Sequence, residues 1–382
     1  MRRPFSARRA AAMLALGMAT TIITTAAPAS AGRTTTRTVH PGESIQAAID
    51  AAQPGDKIKV KAGTYHENVY VNKDFIELEG DGADQTSLLP PDVGAPNPCV
   101  QPDGTIFGAV CVGFDETDPV KGFELEDMKI EGFANGAFLV NTSGAEVDHM
   151  VFANNHVYGL FYNSSTGGDV HDTVAYGSEE AGLYFGDAPN ADVKVDDNEV
   201  YDNGFGMLLR DASNGRVEDN HAHDNCFGIL VLNTGEPGDA ARWKLEDNKI
   251  EHNTKSCPPS DEAPPTSGAG IVLAGATKTV VEDNTVNDNA PSGASPLAAG
   301  GIVLASTIQF GGTPASDNRI TDNRLEGNQP YDISDDGAGT GNHFDDNRCD
   351  TSKPAGLCGD DNGHHDNGHH DNGDNANRDN RV

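Results

Sequence analysis

A short unit, in its full form an aliphatic or aromatic residue, an acidic residue, Asp and Asn, recurs along the chain, and its spacing constrains the fold more than any other feature. Taking the Asp as marker, copies fall at Asp127, Asp172, Asp197, Asp219, Asp247, Asp283, Asp322 and Asp346, with a degenerate member at His149. Successive markers are 22, 23, 25, 22, 28, 36, 39 and 24 residues apart. A period in the low twenties, lengthened here and there by insertions, belongs to a solenoid in which each coil contacts only its neighbours.

Each repeat holds two short strand signals. One is the aliphatic-acid-Asp-Asn unit itself, as in Val217-Glu218-Asp219-Asn220; the other opens on glycine, as in Gly228-Ile229-Leu230-Val231 and Gly270-Ile271-Val272-Leu273. Strands this short are stable only when paired with the next coil, so the chain reads as all-β, a stack of parallel strands about 4.8 Å apart. In that stack Val147, Val170, Val195, Val217, Leu245, Val281 and Ile320 form one inward column, each worth roughly 1.5–3 kcal/mol by burial. Asn155, Asn203, Asn225, Asn253, Asn289 and Asn328 align at a corner as an asparagine ladder. Ser44 followed by Ile45-Gln46-Ala47-Ala48-Ile49 reads as a short N-terminal capping helix with Ser44 as N-cap, closing an otherwise exposed sheet edge.

The first 31 residues place Arg2, Arg3, Arg8 and Arg9 before an apolar run and end in Ala29-Ser30-Ala31. That order predicts a secretory signal peptide cleaved after Ala31, with Arg8-Arg9 hinting at twin-arginine export, and hence a secreted, extracellular protein without membrane insertion. Residues 32–358 are the predicted β-helix domain, and 359–382 a disordered Asp/Asn/Gly/His-rich tail. Of 26 basic and 59 acidic residues, the leader removes four arginines, leaving 22 − 59 = −37. Such a charge excludes nucleic acid as a partner and offers oxygen ligands to calcium, the one cofactor the composition suggests. Asp335-Asp336 and the acidic column Asp148, Asp196, Glu218, Glu246 and Glu282 are the places for it. Six cysteines in an exported chain imply disulfides, and closeness in sequence pairs Cys99 with Cys111, Cys226 with Cys257 and Cys349 with Cys358.

The stretch Val39-His40-Pro41-Gly42-Glu43-Ser44-Ile45-Gln46-Ala47-Ala48-Ile49, with Gly63-Thr64-Tyr65 and Leu78-Glu79-Gly80-Asp81-Gly82, resembles the opening of right-handed parallel β-helix proteins of the pectin-lyase-like superfamily. The later Gly-Ile-x-Leu and Asp-Asn repeats are similar to its generic β-helix repeat branch, which includes the periplasmic nitrous oxide reductase maturation-type proteins. The resemblance covers about residues 38–358 and implies a right-handed solenoid. It carries no activity over, because the superfamily holds lyases, hydrolases, esterases, epimerases and non-enzymes. The Gly-His-Gly of polygalacturonases, the Gln-Asp-Thr of pectin methylesterases and the Asp-Pro-His of mannuronan epimerases are all missing.

Chemistry concentrates on the strand that follows each Asp-Asn, where consecutive repeats bring Tyr176, Glu199, Tyr201, His221, His223, Lys249 and Glu251 onto one outward patch. Tyrosine faces suit sugar rings, and Tyr176, Glu199 and Glu251 are the expected substrate contacts. Tyr201, His221, His223 and Lys249 are the expected catalytic groups: His or Tyr takes a proton from C5 of a uronate and Lys249 steadies the enolate. That makes an extracellular polysaccharide the expected partner of a monomeric protein and a lyase the first reading, ahead of hydrolysis by Glu199 and Glu251. The alternative on the same residues is a solvated sheet face with cross-strand pairs Glu199–His221 and His223–Glu251. The insertions 254–267 and 290–299 leave the solenoid directly after this strand and are expected to wall the patch. The competing class is a non-catalytic scaffold or metal-handling protein, in which His364, His365, His369 and His370 of the tail bind copper, nickel or zinc.

Overall fold

The structure is a computed structural model in which residues 34–92, 98–99, 108–114, 117–259 and 264–359 are described. The leader and the four tail histidines lie outside the described residues. The described chain from Thr34 winds through three parallel sheets of 13, 10 and 11 strands, with one antiparallel hairpin, Ser256–Cys257 against Thr266–Ser267. A typical coil gives Arg216–Glu218 to the first sheet, His221–His223 to the second and Phe227–Leu232 to the third. This is the all-β parallel helix that the repeat spacing requires.

The repeat unit is the corner between the first and second sheets. Asp197, Asp219, Asp247, Asp283 and Asp322 take φ of 53°, 57°, 55°, 56° and 59°, a left-handed conformation that Asp tolerates better than most residues. The Asn that follows is buried and builds a ladder of its own. Asn220 donates its backbone N–H and its Nδ2 to Asn248 Oδ1, both at 3.0 Å, and Nδ2 also to the Val195 carbonyl at 2.8 Å. The pattern runs unbroken through Asn198, Asn220, Asn248, Asn284, Asn323 and Asn347.

The expected ladder stands at the other corner, between the second and third sheets. It runs through Asn203, Asn225, Asn253, Asn289 and Asn328 and closes on Asp332. It does not reach Asn155: Ser178 takes the intervening position and donates its N–H to Asn203 Oδ1 at 2.9 Å. Asn155 caps Phe133 and Ile130 separately. The glycine that opens the third-sheet strand is demanded here, since a Cβ on Gly228 would lie 2.7 Å from the Gly270 carbonyl and 2.6 Å from Ile250.

The inward column Val147, Val170, Val195, Val217, Leu245, Val281 and Ile320 is buried along its length. At the N-terminal end the helix Ile45–Ala51 packs Ile45 and Ile49 onto the first coil, and Ser44 Oγ accepts the Ala47 N–H at 3.1 Å. All three expected disulfides are formed, and Cys349–Cys358 staples the last coil.

The acidic column of the first sheet is held by flanking cations. Lys194 lies 2.8 Å from Asp196 and 3.1 Å from Glu218, while Lys244 pairs with Glu246 and, at 3.0 Å, with Glu282. Closer to the N-terminus, Glu126 sits in the same column between Glu79 and Asp148. Burial, then the charges of Glu77 and Glu124, push its carboxyl up to about 7. A carboxyl whose folded value lies above its unfolded one holds its proton more tightly in the native state. Stability is therefore lost as pH rises from about 4.5 through 7. We expect Glu126→Gln to stabilise the protein at pH 8 by about 1–2 kcal/mol, after discounting for the water that reaches the group, and to change nothing at pH 4. Urea unfolding at the two pH values checks this; equal midpoints at pH 8 would contradict it.

Candidate functional site

The second sheet pairs Tyr176 with Tyr201, Tyr201 with His223 and His223 with Glu251; its other outward column runs Glu199, His221, Lys249. Between these columns Ala175, Val200, Ala222 and Ile250 point into the core and are fully buried. Period-two alternation thus turns all seven candidate residues outward on four neighbouring strands, as the repeat register requires.

Their mutual geometry differs from the expectation in two respects. Tyr176 and Tyr201 stack at 5.0 Å and 8°, and Tyr201 and His223 at 5.2 Å and 10°. Strand spacing therefore uses the ring faces on one another, and the row presents hydroxyl and imidazole edges outward. On the side of Tyr176 away from Tyr201 its register partner is the small Ala153 of the preceding coil. Secondly, the ion pairs are diagonal. His221 Nε2 lies 3.0 Å from Glu251 Oε1 and His223 Nε2 lies 3.2 Å from Glu199 Oε1. The direct partners Glu199–His221 and His223–Glu251 are register neighbours, but glutamate and histidine are long enough to reach the diagonal one.

Further contacts fix the groups. His223 Nδ1 lies 2.7 Å from Asp224 Oδ2, the imidazoles are 4.3 Å apart at their centroids, and Lys249 pairs with Glu251. Burial, with His223 nearby, lowers the His221 pKa against the pull of Glu251, so this imidazole is neutral at pH 7. Burial acts against Glu251, yet the hydrogen bonds from Lys249 and His221 prevail and hold its carboxyl below the usual range. Tyr201 is raised by burial and by neighbouring Tyr176 and Glu199, so its phenol keeps its proton and suits an acid better than a base.

Among the described residues, the insertions do not wall this patch: Lys255 reaches its rim, with Nζ 2.9 Å from Asp202 Oδ1. Instead they turn towards the third sheet: Ser267 Oγ accepts the Ser292 N–H at 3.0 Å, and Ala298 packs in the apolar cluster on that sheet's outer face. There Leu208, Leu230, Val272 and Val303 stand in one outward column as the floor of a groove of about 640 Å³. Pro264 and Pro296-Leu297 form one wall, and Thr234 and Phe310 the other. The signal was present in the sequence, because Gly228-Ile229-Leu230-Val231 is apolar at consecutive positions and such a strand is apolar on both faces.

The expected calcium positions at Asp335-Asp336 are already engaged: Asp335 accepts from the Gly337 N–H and the Asn342 side-chain amide, and Asp336 from the Ser306 and Ala338 N–H groups. Among the described residues, the groups that bring at least three His, Cys, Asp or Glu donors together are Glu199/His221/His223, Asp148/His149/Asp172 and Glu77/Glu79/Glu126.

A family model described as a right-handed β-helix region matches residues 135–313. Among solved structures, the A-module of mannuronan C-5 epimerase AlgE6 from Azotobacter vinelandii is similar at TM-score 0.58 and 18% identity, covering 81% of this chain and 92% of that one. The AlgE4 A-module of the same organism gives 0.56 at 17%, covering 81% and 94%. DFA-IIIase from Arthrobacter chlorophenolicus A6 gives 0.52 at 14%, covering 79% and 82%. No curated protein sequence matches the chain. At such identities the neighbours speak for the fold: with its three stacked parallel sheets and the family match over residues 135–313, the chain has a right-handed parallel β-helix fold.

Proposed function

We propose that the outer face of the second sheet binds an extracellular polysaccharide and acts on it by removing a proton beside a carboxylate. The observation that carries this reading is the His221–Glu251 pair standing next to His223–Glu199 at the end of the Tyr176–Tyr201 row, all on rigid strands. Neutral His221, oriented by Glu251, takes the C5 proton of a uronate; Lys249 steadies the enolate; and the Tyr201 phenol supplies a proton to the leaving glycosidic oxygen. Glu199 and Tyr176 contact the chain on either side. Two structural neighbours bear the name mannuronan C-5 epimerase, which denotes chemistry at the same carbon. Three disulfides fit an extracellular setting, and no described helix is long and apolar enough to cross a membrane. A non-catalytic binding role is the second reading, favoured by the loops walling the third sheet rather than this one.

The test is incubation with a panel of pectate, alginate, glycosaminoglycan and neutral glycans. Ultraviolet absorbance of unsaturated uronate, C5 inversion by NMR and new reducing ends are followed together. We expect unsaturated or epimerised product, reduced 10²–10⁴-fold in His221→Ala, with an acid limb in kcat/KM below the usual imidazole range. Reducing ends without either product would replace proton abstraction by hydrolysis, and no product on any glycan would leave the non-catalytic reading standing.

A further inference from the structure

We propose that Glu199, His221 and His223 form a site for one divalent transition-metal ion of the zinc type. One nitrogen of each imidazole and one Glu199 oxygen lie within 4.8 Å of one another, on two adjacent strands whose register the Asn ladders fix. Two imidazoles and one carboxylate form a donor set for zinc, cobalt, nickel or copper, whereas calcium takes six to eight oxygens.

The geometry around His223 suits a metal-bound imidazole. Both its ring nitrogens face carboxylate oxygens, Nδ1 towards Asp224 at 2.7 Å and Nε2 towards Glu199 at 3.2 Å. With Nδ1–H donated to Asp224, the Nε2 lone pair is turned towards Glu199, and a cation between Nε2 and Glu199 would complete that arrangement. The 3.2 Å separation is also close to the roughly 3.3 Å expected between two donors bound at about 2.0 Å to one tetrahedral ion. Asp224 then takes the place of the carboxylate that orients a metal-bound histidine, and Glu251 does the same for His221 from Nε2. Stacking on Tyr201 holds the His223 ring plane, and Lys249 is drawn aside by Glu251. Three protein donors leave a fourth position open, the arrangement of a site that binds an exchangeable ligand. An ion here occupies the His221 nitrogen that would otherwise take the C5 proton, so the ion-bound face holds a uronate carboxylate at the open position without proton abstraction by His221; that ligand rests on the polysaccharide reading of this face, and the ion site itself does not.

The experiment uses the full chain, stripped with EDTA and titrated with Zn²⁺, with thermal unfolding as one readout and the visible spectrum of the Co²⁺ form as the other. We expect Zn²⁺ to raise the melting temperature and Co²⁺ to give the intense absorption of a four-coordinate site. Both should be lost in His223→Ala and in Glu199→Gln, while Asp224→Asn weakens Zn²⁺ binding 10–100-fold. Replacing His364, His365, His369 and His370 together should leave both signals intact. Equal melting temperatures of the EDTA-treated variants and the parent show that the fold survives the substitutions. The proposal is overturned if Zn²⁺ leaves the parent's melting unchanged, or if the shift survives in His223→Ala and Glu199→Gln, or if it disappears with the four tail histidines. A metal signal with no glycan product sustains the ion site and removes the polysaccharide reading; glycan product that is indifferent to EDTA, with no zinc shift, does the reverse.

Discussion

Asn225→Ala should destabilise the solenoid by about 3–5 kcal/mol, as much as removal of a large core side chain. Asn225 is fully buried. Its Nδ2 donates to the Val200 carbonyl at 3.0 Å and to Asn253 Oδ1 at 2.9 Å, and its Oδ1 accepts the Asn203 N–H at 2.9 Å. Alanine leaves the buried Asn203 N–H without its acceptor and takes the side-chain donor from the Val200 carbonyl and from Asn253 Oδ1, which keeps the backbone N–H of residue 225 at 3.1 Å; each lost bond costs about 1–3 kcal/mol, and relaxation recovers part of that. Because coils interact only with neighbours, the loss falls on both adjacent interfaces at once. Asn155 serves two backbone groups outside the continuous ladder, so Asn155→Ala should cost clearly less. Denaturant unfolding of the two variants measures the difference, and a loss below about 1 kcal/mol for Asn225→Ala would mean that the ladder contributes little beyond solvation.

Trp243→Ala is the second large effect, again about 3–5 kcal/mol. The indole is 1% exposed, its Nε1–H donates to the Ala212 carbonyl at 2.7 Å, and its ring fills the space beside Gly215, where an added Cβ would lie 2.0 Å from Cζ3. Alanine leaves a cavity between the third sheet and the first and removes one of the two donors to the Ala212 carbonyl, which keeps the Ala241 N–H at 3.3 Å. Trp243→Phe keeps most of the volume and loses the hydrogen bond, so it should cost roughly half as much. Trp243 is the sole tryptophan of the chain, which makes circular dichroism the appropriate probe. If the two variants unfolded together, packing rather than the hydrogen bond would be irrelevant to the loss, contrary to this account.

Register was legible in the sequence because the Asp-Asn corner recurs in every coil. Once Asp197, Asp219 and Asp247 are superposed, Glu199, His221 and Lys249 must share one column, and Tyr201, His223 and Glu251 the other. The lean of side chains within a column was not legible. Whether His223 pairs with Glu251 beside it or with Glu199 diagonally depends on rotamers, and on Asp224 holding the opposite nitrogen. Ring stacking at the strand spacing follows from the register, and so does the loss of free tyrosine faces, a consequence of the 4.8 Å repeat. The path of the insertions depended on contacts far apart in sequence, such as Ser267 with Ser292 and Ala298 against the third sheet, which no local pattern carries. The Asn of the repeat unit forms a second ladder that the sequence reading did not separate, shown by its burial and its paired bonds to the next coil.

The most direct test of the functional claim is calorimetric titration of the protein with uronate oligosaccharides, comparing a second-sheet variant, Tyr176→Ala with His223→Ala, against a third-sheet groove variant, Leu297→Ser with Phe310→Ser. Binding lost in the first variant and kept in the second is the result this account requires. Binding kept in the first and lost in the second would move the glycan to the apolar groove and contradict it.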